Sequence, residues 1–196
     1  MAGGTRRVAV VAPGGGYGPD GPLLMYAALA VRRRGGTTRP VKWQISGGMS
    51  DQELRSMVVA QAEAAIGAAA DGPGAPLVIG KSLGSLAAPV VARRSLPAVW
   101  FTPLLDDEPT VAALRRATAP CLLVGGTADP AWNGAVAREI SKHVTEVDGA
   151  DHGMFVPGVA GGPTALAASA GVLGQVITAV EEFLDQVVWP ASARSA

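Results

Sequence analysis

The chain has 196 residues, 48% of them hydrophobic and 16% charged, with 16 basic side chains balancing 16 acidic ones. That length suits one globular domain over residues 1–196, able to bury a core without staples, and the apolar share excludes a disordered chain. The zero net charge argues against a nucleic-acid partner, which calls for a basic face. A single cysteine, Cys121, offers neither an internal disulfide nor a thiolate cluster, so no metal and no other cofactor is implied.

In chain order, Val8 to Val11 form a continuous apolar run of the kind found in strands buried on both faces. Arg6-Arg7 ahead of it resembles a twin-arginine export signal. The apolar run stops at Pro13, however, short of the roughly 7–15 residues of a signal core. A loop from Pro13 to Pro22 leads into a helix from about Leu23 to Arg34, which Gly35-Gly36 stop. Thr37 to Trp43 reads as a second strand. Ser50 or Asp51 then caps a helix from about Gln52 to Ala70, with Glu53 in its first turn.

Leu77-Val78-Ile79 is the third strand and runs straight into Gly80, with a helix following from about Leu83 to Arg94. Ala98 to Phe101, Cys121 to Val124 and Val144 to Val147 are strands four to six, separated by helices at Thr110 to Ala117 and Ala131 to Lys142. A terminal helix covers roughly Pro163 to Val188. Its apolar part, Ala165 to Val180, is shorter than the roughly 20 residues of a membrane span and runs into acidic residues. A cytoplasmic protein without a membrane partner is therefore expected. Alternating strands and helices predict an α/β fold, a three-layer sandwich with a mostly parallel six-stranded sheet.

The sharpest local signal is Gly80-Lys81-Ser82-Leu83-Gly84, placed where a strand ends and a helix begins. Small residues two before and two after the serine let strand and helix approach, which lifts its hydroxyl above the sheet as a candidate nucleophile. The similar Ala167-to-Gly171 segment has no preceding strand and is rejected. A serine needs a base, and the sequence holds only His143 and His152. His143 sits at a helix end, where it would favour the helix C-terminus. His152 lies in a Gly-rich loop after the sixth strand, at the edge where open α/β sheets place reactive groups. It is the candidate base.

Asp129, after the fifth strand, is the candidate acid to orient that imidazole, although an Asp-Pro pair also suits a helix cap. Asp106 and Asp107 are fallbacks, and Asp151, adjoining His152, is expected to face away. For an oxyanion, Leu83 N–H and Gly15 N–H, with Gly16 second, are the candidate donors. The loop Gly14 to Gly16 lacks both the Lys-Ser/Thr ending of a phosphate loop and the third glycine of a dinucleotide fingerprint.

Over Val8 to Val188 these features resemble the α/β-hydrolase fold. Gly125 to Pro130 and Asp148 to Gly153 are most similar to the small, lidless bacterial hydrolases of the dienelactone-hydrolase-like group. The resemblance implies a minimal fold without a cap domain and a serine hydrolase that cleaves a small carboxylic ester or thioester through an acyl-serine intermediate. Two departures stand out. Pro13-Gly14 replaces the family's frequent His-Gly at the oxyanion loop. Ser82 stands where dienelactone hydrolases proper have cysteine, so their substrate does not carry over.

In this fold a lid would be inserted at Pro103 to Pro109, which is only a short loop here and implies a shallow, open pocket. Tyr17, Trp132, Met154 and Phe155 lie near the rim and are candidate substrate-binding residues. Lys81 is expected to be solvated. Acyl transfer, a lyase reaction with His152 as base and a catalytically silent interaction domain are the alternatives. The expected partner is a small acyl substrate, and a homodimer through an exposed edge strand is compatible with the residues without being required.

Overall fold

Short apolar runs separated by glycine and proline become strands because both faces of each can be covered. The computed structural model describes residues 6–190 except 73, 159 and 161. Its strands are β1 (Val8–Ala12), β2 (Thr37–Pro40), β3 (Leu77–Lys81), β4 (Ala98–Phe101), β5 (Cys121–Gly126) and β6 (His143–Val147). They form one sheet in the order β2-β1-β3-β4-β5-β6, and every neighbouring pair is parallel. The sheet is thus wholly rather than mostly parallel. The helices are α1 (Pro22–Arg33), α2 (Asp51–Ala69), α3 (Ala88–Arg93), α4 (Glu108–Arg116), α5 (Gly134–Ile140) and α6 (Ala165–Phe183).

The period of two along each strand sorts side chains onto two cores. Ala9, Val11, Leu77, Ile79, Val99, Phe101, Leu122 and Val124 pack with α1 and α6 on one face. Val8, Val10, Val78, Ala98, Trp100, Cys121 and Leu123 pack with α2 to α5 on the other. Each fully buried large aliphatic or aromatic side chain contributes roughly 1.5–3 kcal/mol.

Several elements differ from their sequence-predicted bounds, each for a local reason. β2 ends at Pro40 rather than Trp43, and the Trp43 indole instead donates to the Pro13 carbonyl at 2.9 Å. The helix predicted from Leu83 begins as a 3₁₀ turn over Ser82–Ala87, with Ala88 N–H bonded to Ser85 O. Pro89 has no N–H to offer that carbonyl, so regular α-helix starts only there. α5 starts at Gly134 because the Asn133 side chain caps Ala135 and Val136 N–H. α6 starts at Ala165 with Thr164 as its cap and ends in a π turn, Leu184–Val188. Counted with that turn, Ala165–Val188 spans 24 residues and would be long and apolar enough to cross a membrane. Here its Val172, Val176, Val180 and Phe183 are buried in the sheet's core.

The chain runs outward from β1 to β2, then returns to place β3 on the other side of β1. The crevice at the carboxyl ends of β1 and β3 is where such sheets reverse direction and leave room for a ligand.

Candidate active site

Lys81 is the last residue of β3, and the next residue, Ser82, has φ +49°. A side chain added at Gly80 would collide with the Trp100 ring, and one added at Gly84 with the Ala12 carbonyl. Both glycines are therefore required by close approach, and together they force the turn that presents Ser82. Ser85 bolts this turn to the loop after β4: its hydroxyl donates to Ser82 O at 2.7 Å and accepts from Leu104 N–H at 3.1 Å.

Ser82 Oγ lies 2.8 Å from His152 Nε2, and His152 Nδ1 lies 2.8 Å from Asp129 Oδ2. The Asp129 side chain is 1% exposed and that of His152 40% exposed, so the acid is shut in while the imidazole faces the crevice. Asp129 Oδ1 accepts from Ala131 N–H at 3.0 Å, which fixes the carboxylate plane. That bond belongs to the turn, since Asn133 rather than Asp129 caps α5. With Asp129 ionised, Nδ1 donates to it and Nε2 is left to accept from the serine hydroxyl.

The loops bearing Asp129 and His152 are tied to each other. Ala128 N–H donates to Ala150 O at 3.0 Å, and Gly149 N–H to Thr127 Oγ1 at 2.7 Å. Asp151 Oδ1 accepts from Gly153 and Phe155 N–H at 2.8 and 2.9 Å, so it shapes the loop and does not reach for the imidazole.

The other candidates are elsewhere. His143 opens β6 at the opposite end of the sheet, with its ring edge-on to Phe183 at 5.2 Å between centroids. It is a strand residue and no helix terminus. Asp107 caps α4 by accepting from Thr110 N–H at 2.8 Å and pairs with Arg55, while Asp106 is exposed.

In the loop after β1, Gly14 N–H is engaged by the Tyr17 carbonyl at 3.0 Å. Gly15 lies against Leu83, since a methyl there would touch that side chain at 3.6 Å, whereas Gly16 has nothing within 4 Å. The Trp43 indole, which sequence reasoning placed in a strand, braces this loop from behind through Pro13 O.

An apolar pocket enclosing about 490 Å³, counting its open mouth, adjoins the loop that carries His152, with Gly153 in its wall. Tyr17, Met154 and Phe155 line it together with Pro22, Leu23 and Leu173. Phe155 is 54% exposed at its edge. Trp132 does not line this pocket. Its ring packs over Gly125, and its indole donates to Glu146 Oε2 at 2.7 Å. The expectation for Trp132 is corrected: the indole supports the β5–β6 edge.

Lys81 is the larger surprise. It is 2% exposed, and its ammonium donates to Thr102 Oγ1 and to the His152 carbonyl, each at 3.1 Å. Burial pushes its pKa down to about 8, against the opposing pull of Asp129 and Asp151. The expected solvated lysine is wrong because position 81 still belongs to a strand in the sheet interior, paired with Phe101. That run of buried strand residues was the signal available in the sequence.

By sequence, no family model and no curated protein matches the chain. By structure, the chain is similar to a protein of the α/β hydrolase superfamily from Xanthomonas campestris pv. campestris, with a TM-score of 0.67 at 20% identity, covering 93% of this chain and 100% of that one. A dienelactone hydrolase from Anabaena variabilis aligns with a TM-score of 0.69 at 18% identity, over 95% of this chain and 88% of its own. An α/β serine hydrolase without lid from Xanthomonas campestris gives 0.66 at 12% identity, over 95% and 85%. The chain has the α/β-hydrolase fold.

In α/β-hydrolase terms the core sheet is present and the connection between β4 and α4 is only residues 102–107. That connection contains no inserted helix or strand that could form a cap over Ser82.

Proposed function

We propose that the chain is a serine hydrolase that cleaves small carboxylic esters or thioesters through an acyl-serine intermediate. The observation that carries this reading is the continuous line from Asp129 through His152 to Ser82, both links 2.8 Å long, ending on a serine held at φ +49°. In the reaction, His152 Nε2 takes the Ser82 proton as Oγ attacks the ester carbonyl. A tetrahedral oxyanion forms, and the N–H groups of Leu83 and Gly15 are its donors, each such donor being worth about 3–4 kcal/mol in the transition state. The protonated imidazole, held by Asp129, then gives its proton to the leaving alkoxide or thiolate. Water, activated by His152, attacks the acyl-serine and releases the acid. The pocket lined by Tyr17, Met154 and Phe155 supports an uncharged, apolar group on one side of the scissile bond.

The test is covalent labelling with a fluorophosphonate, read by mass spectrometry on the peptide carrying Ser82. Labelling of the folded protein, abolished in S82A, is the expected outcome. An unlabelled Ser82 in folded protein overturns the reading. A series of p-nitrophenyl esters of rising acyl length then measures the pocket.

A further inference from the structure

Lysine is almost never fully buried without a charged partner. Lys81 is buried, and among the described residues no carboxylate lies within ion-pair distance of it. A methionine would fill the same space without the desolvation penalty of an ammonium. What the ammonium does instead is tie the end of β3 to segments that follow three other strands. From the end of β3 it donates to Thr102 Oγ1, just after β4, and to the carbonyl of His152, in the loop after β6. It also sits over the Tyr17 ring, in the loop after β1, 4.8 Å from the centroid. Thr102 is itself held at φ +40°, an unfavourable conformation for a β-branched residue, and its hydroxyl faces the ammonium.

We propose that Lys81 is a positioning residue: its ammonium fastens the backbone of His152 to the end of β4 and so sets the reach of the imidazole to Ser82. The inference rests on the serine hydrolase reading. Apart from Ser82 itself, the imidazole has one side-chain anchor, Asp129, which fixes its Nδ1. The peptide that carries the ring is fixed at its carbonyl by Lys81. Loss of that second anchor lets the ring pivot about the Asp129 bond, and a displacement of about 1 Å costs on the order of a hundredfold in rate.

The groups facing the ammonium are Tyr17 from the loop after β1, Asp129 after β5, and Asp151 and His152 after β6. The two carboxylates favour the charged form, and burial opposes it. Deprotonation at high pH would turn a lone pair towards the Tyr17 ring or one of the two acceptors and loosen the clamp.

The experiment compares wild type, K81M and T102V as full-length chains, using p-nitrophenyl acetate turnover from pH 6 to 10 and fluorophosphonate labelling of Ser82. K81M should lose about 30- to 100-fold in kcat with KM within about twofold, and label more slowly by a similar factor. Wild type should lose activity as pH rises through about 8, and K81M should lack that limb. T102V, which removes one acceptor and leaves the lysine, should lose about three- to tenfold in kcat. Wild-type kcat in folded K81M, or an alkaline limb that survives in it, overturns the proposal. So does a defect confined to KM, which would make Lys81 a substrate contact. If K81M does not fold, T102V decides, and wild-type kcat there is equally fatal. A wild type that neither turns over ester nor labels is a different failure, because it removes the hydrolase reading first.

Discussion

Each end of the sheet holds one histidine, and the two are treated differently. At the amino end of β6, His143 is flanked by Lys142 and packed edge-on to Phe183, with its Nε2 buried and without a hydrogen-bond partner among the described residues. Burial, aided by Lys142, lowers its pKa and favours the uncharged ring. At the carboxyl end His152 has both nitrogens engaged and its backbone carbonyl held as well. Strain follows the same division: Ser82, Thr102 and Met154 have positive φ at the carboxyl end, against Ser95 in the turn after α3. The same side chain is thus filler at one end and a hub at the other, and only the partners distinguish them.

The largest effect that tests this contrast is removal of the hub. S82A or H152A should lower kcat on a p-nitrophenyl ester by at least about a thousandfold, and D129N by a comparable factor, with folding unchanged by circular dichroism. Retained turnover in H152A would end the asymmetry outright.

A second effect is on stability. Because Lys81 titrates near 8 when folded and near 10.5 when free, the unfolded chain binds the extra proton between those values. The folded state is penalised fully below about pH 8, and stability should climb as pH rises towards 10.5. The lysine's share of that rise is on the order of 3 kcal/mol. Denaturant titrations at pH 7.5 and 10 should show the rise in wild type and a smaller one in K81M, whereas equal slopes would place the ammonium in water.

W43F removes the 2.9 Å bond to Pro13 O behind the loop proposed to hold the oxyanion, and should reduce kcat about tenfold through one lost hydrogen bond. Smallest of all, H143A should leave turnover within about twofold, because the residue packs at the end of the sheet remote from Ser82. A large loss there would erase the contrast between the two histidines.

Much of this architecture was legible in the sequence. Central strands such as Val8–Ala12 and Cys121–Gly126 are unbroken apolar runs, because a parallel sheet covered on both faces leaves no polar side to confuse the pattern. Ser82, Asp129 and His152 could be singled out because each follows a strand, and loops after strands share one edge. Less legible was anything set by contacts distant in sequence. Trp43 looked like a strand residue, yet it turns to meet Pro13 O, and nothing near it in sequence announces that bond. Trp132 looked like a pocket wall, yet Gly125 and Glu146 draw it aside. Lys81 was misread because charge suggests water, whereas its strand position places it inside.

The strand order carries a kinetic consequence. Ser82, Asp129 and His152 follow β3, β5 and β6, and parallel neighbours are joined only by long crossovers, so the site assembles from contacts distant along the chain. Helices α2 and α6 need no such closure to begin forming. During refolding, helical signal should therefore return before Ser82 becomes reactive, and the delay between the two reports when the last strands dock.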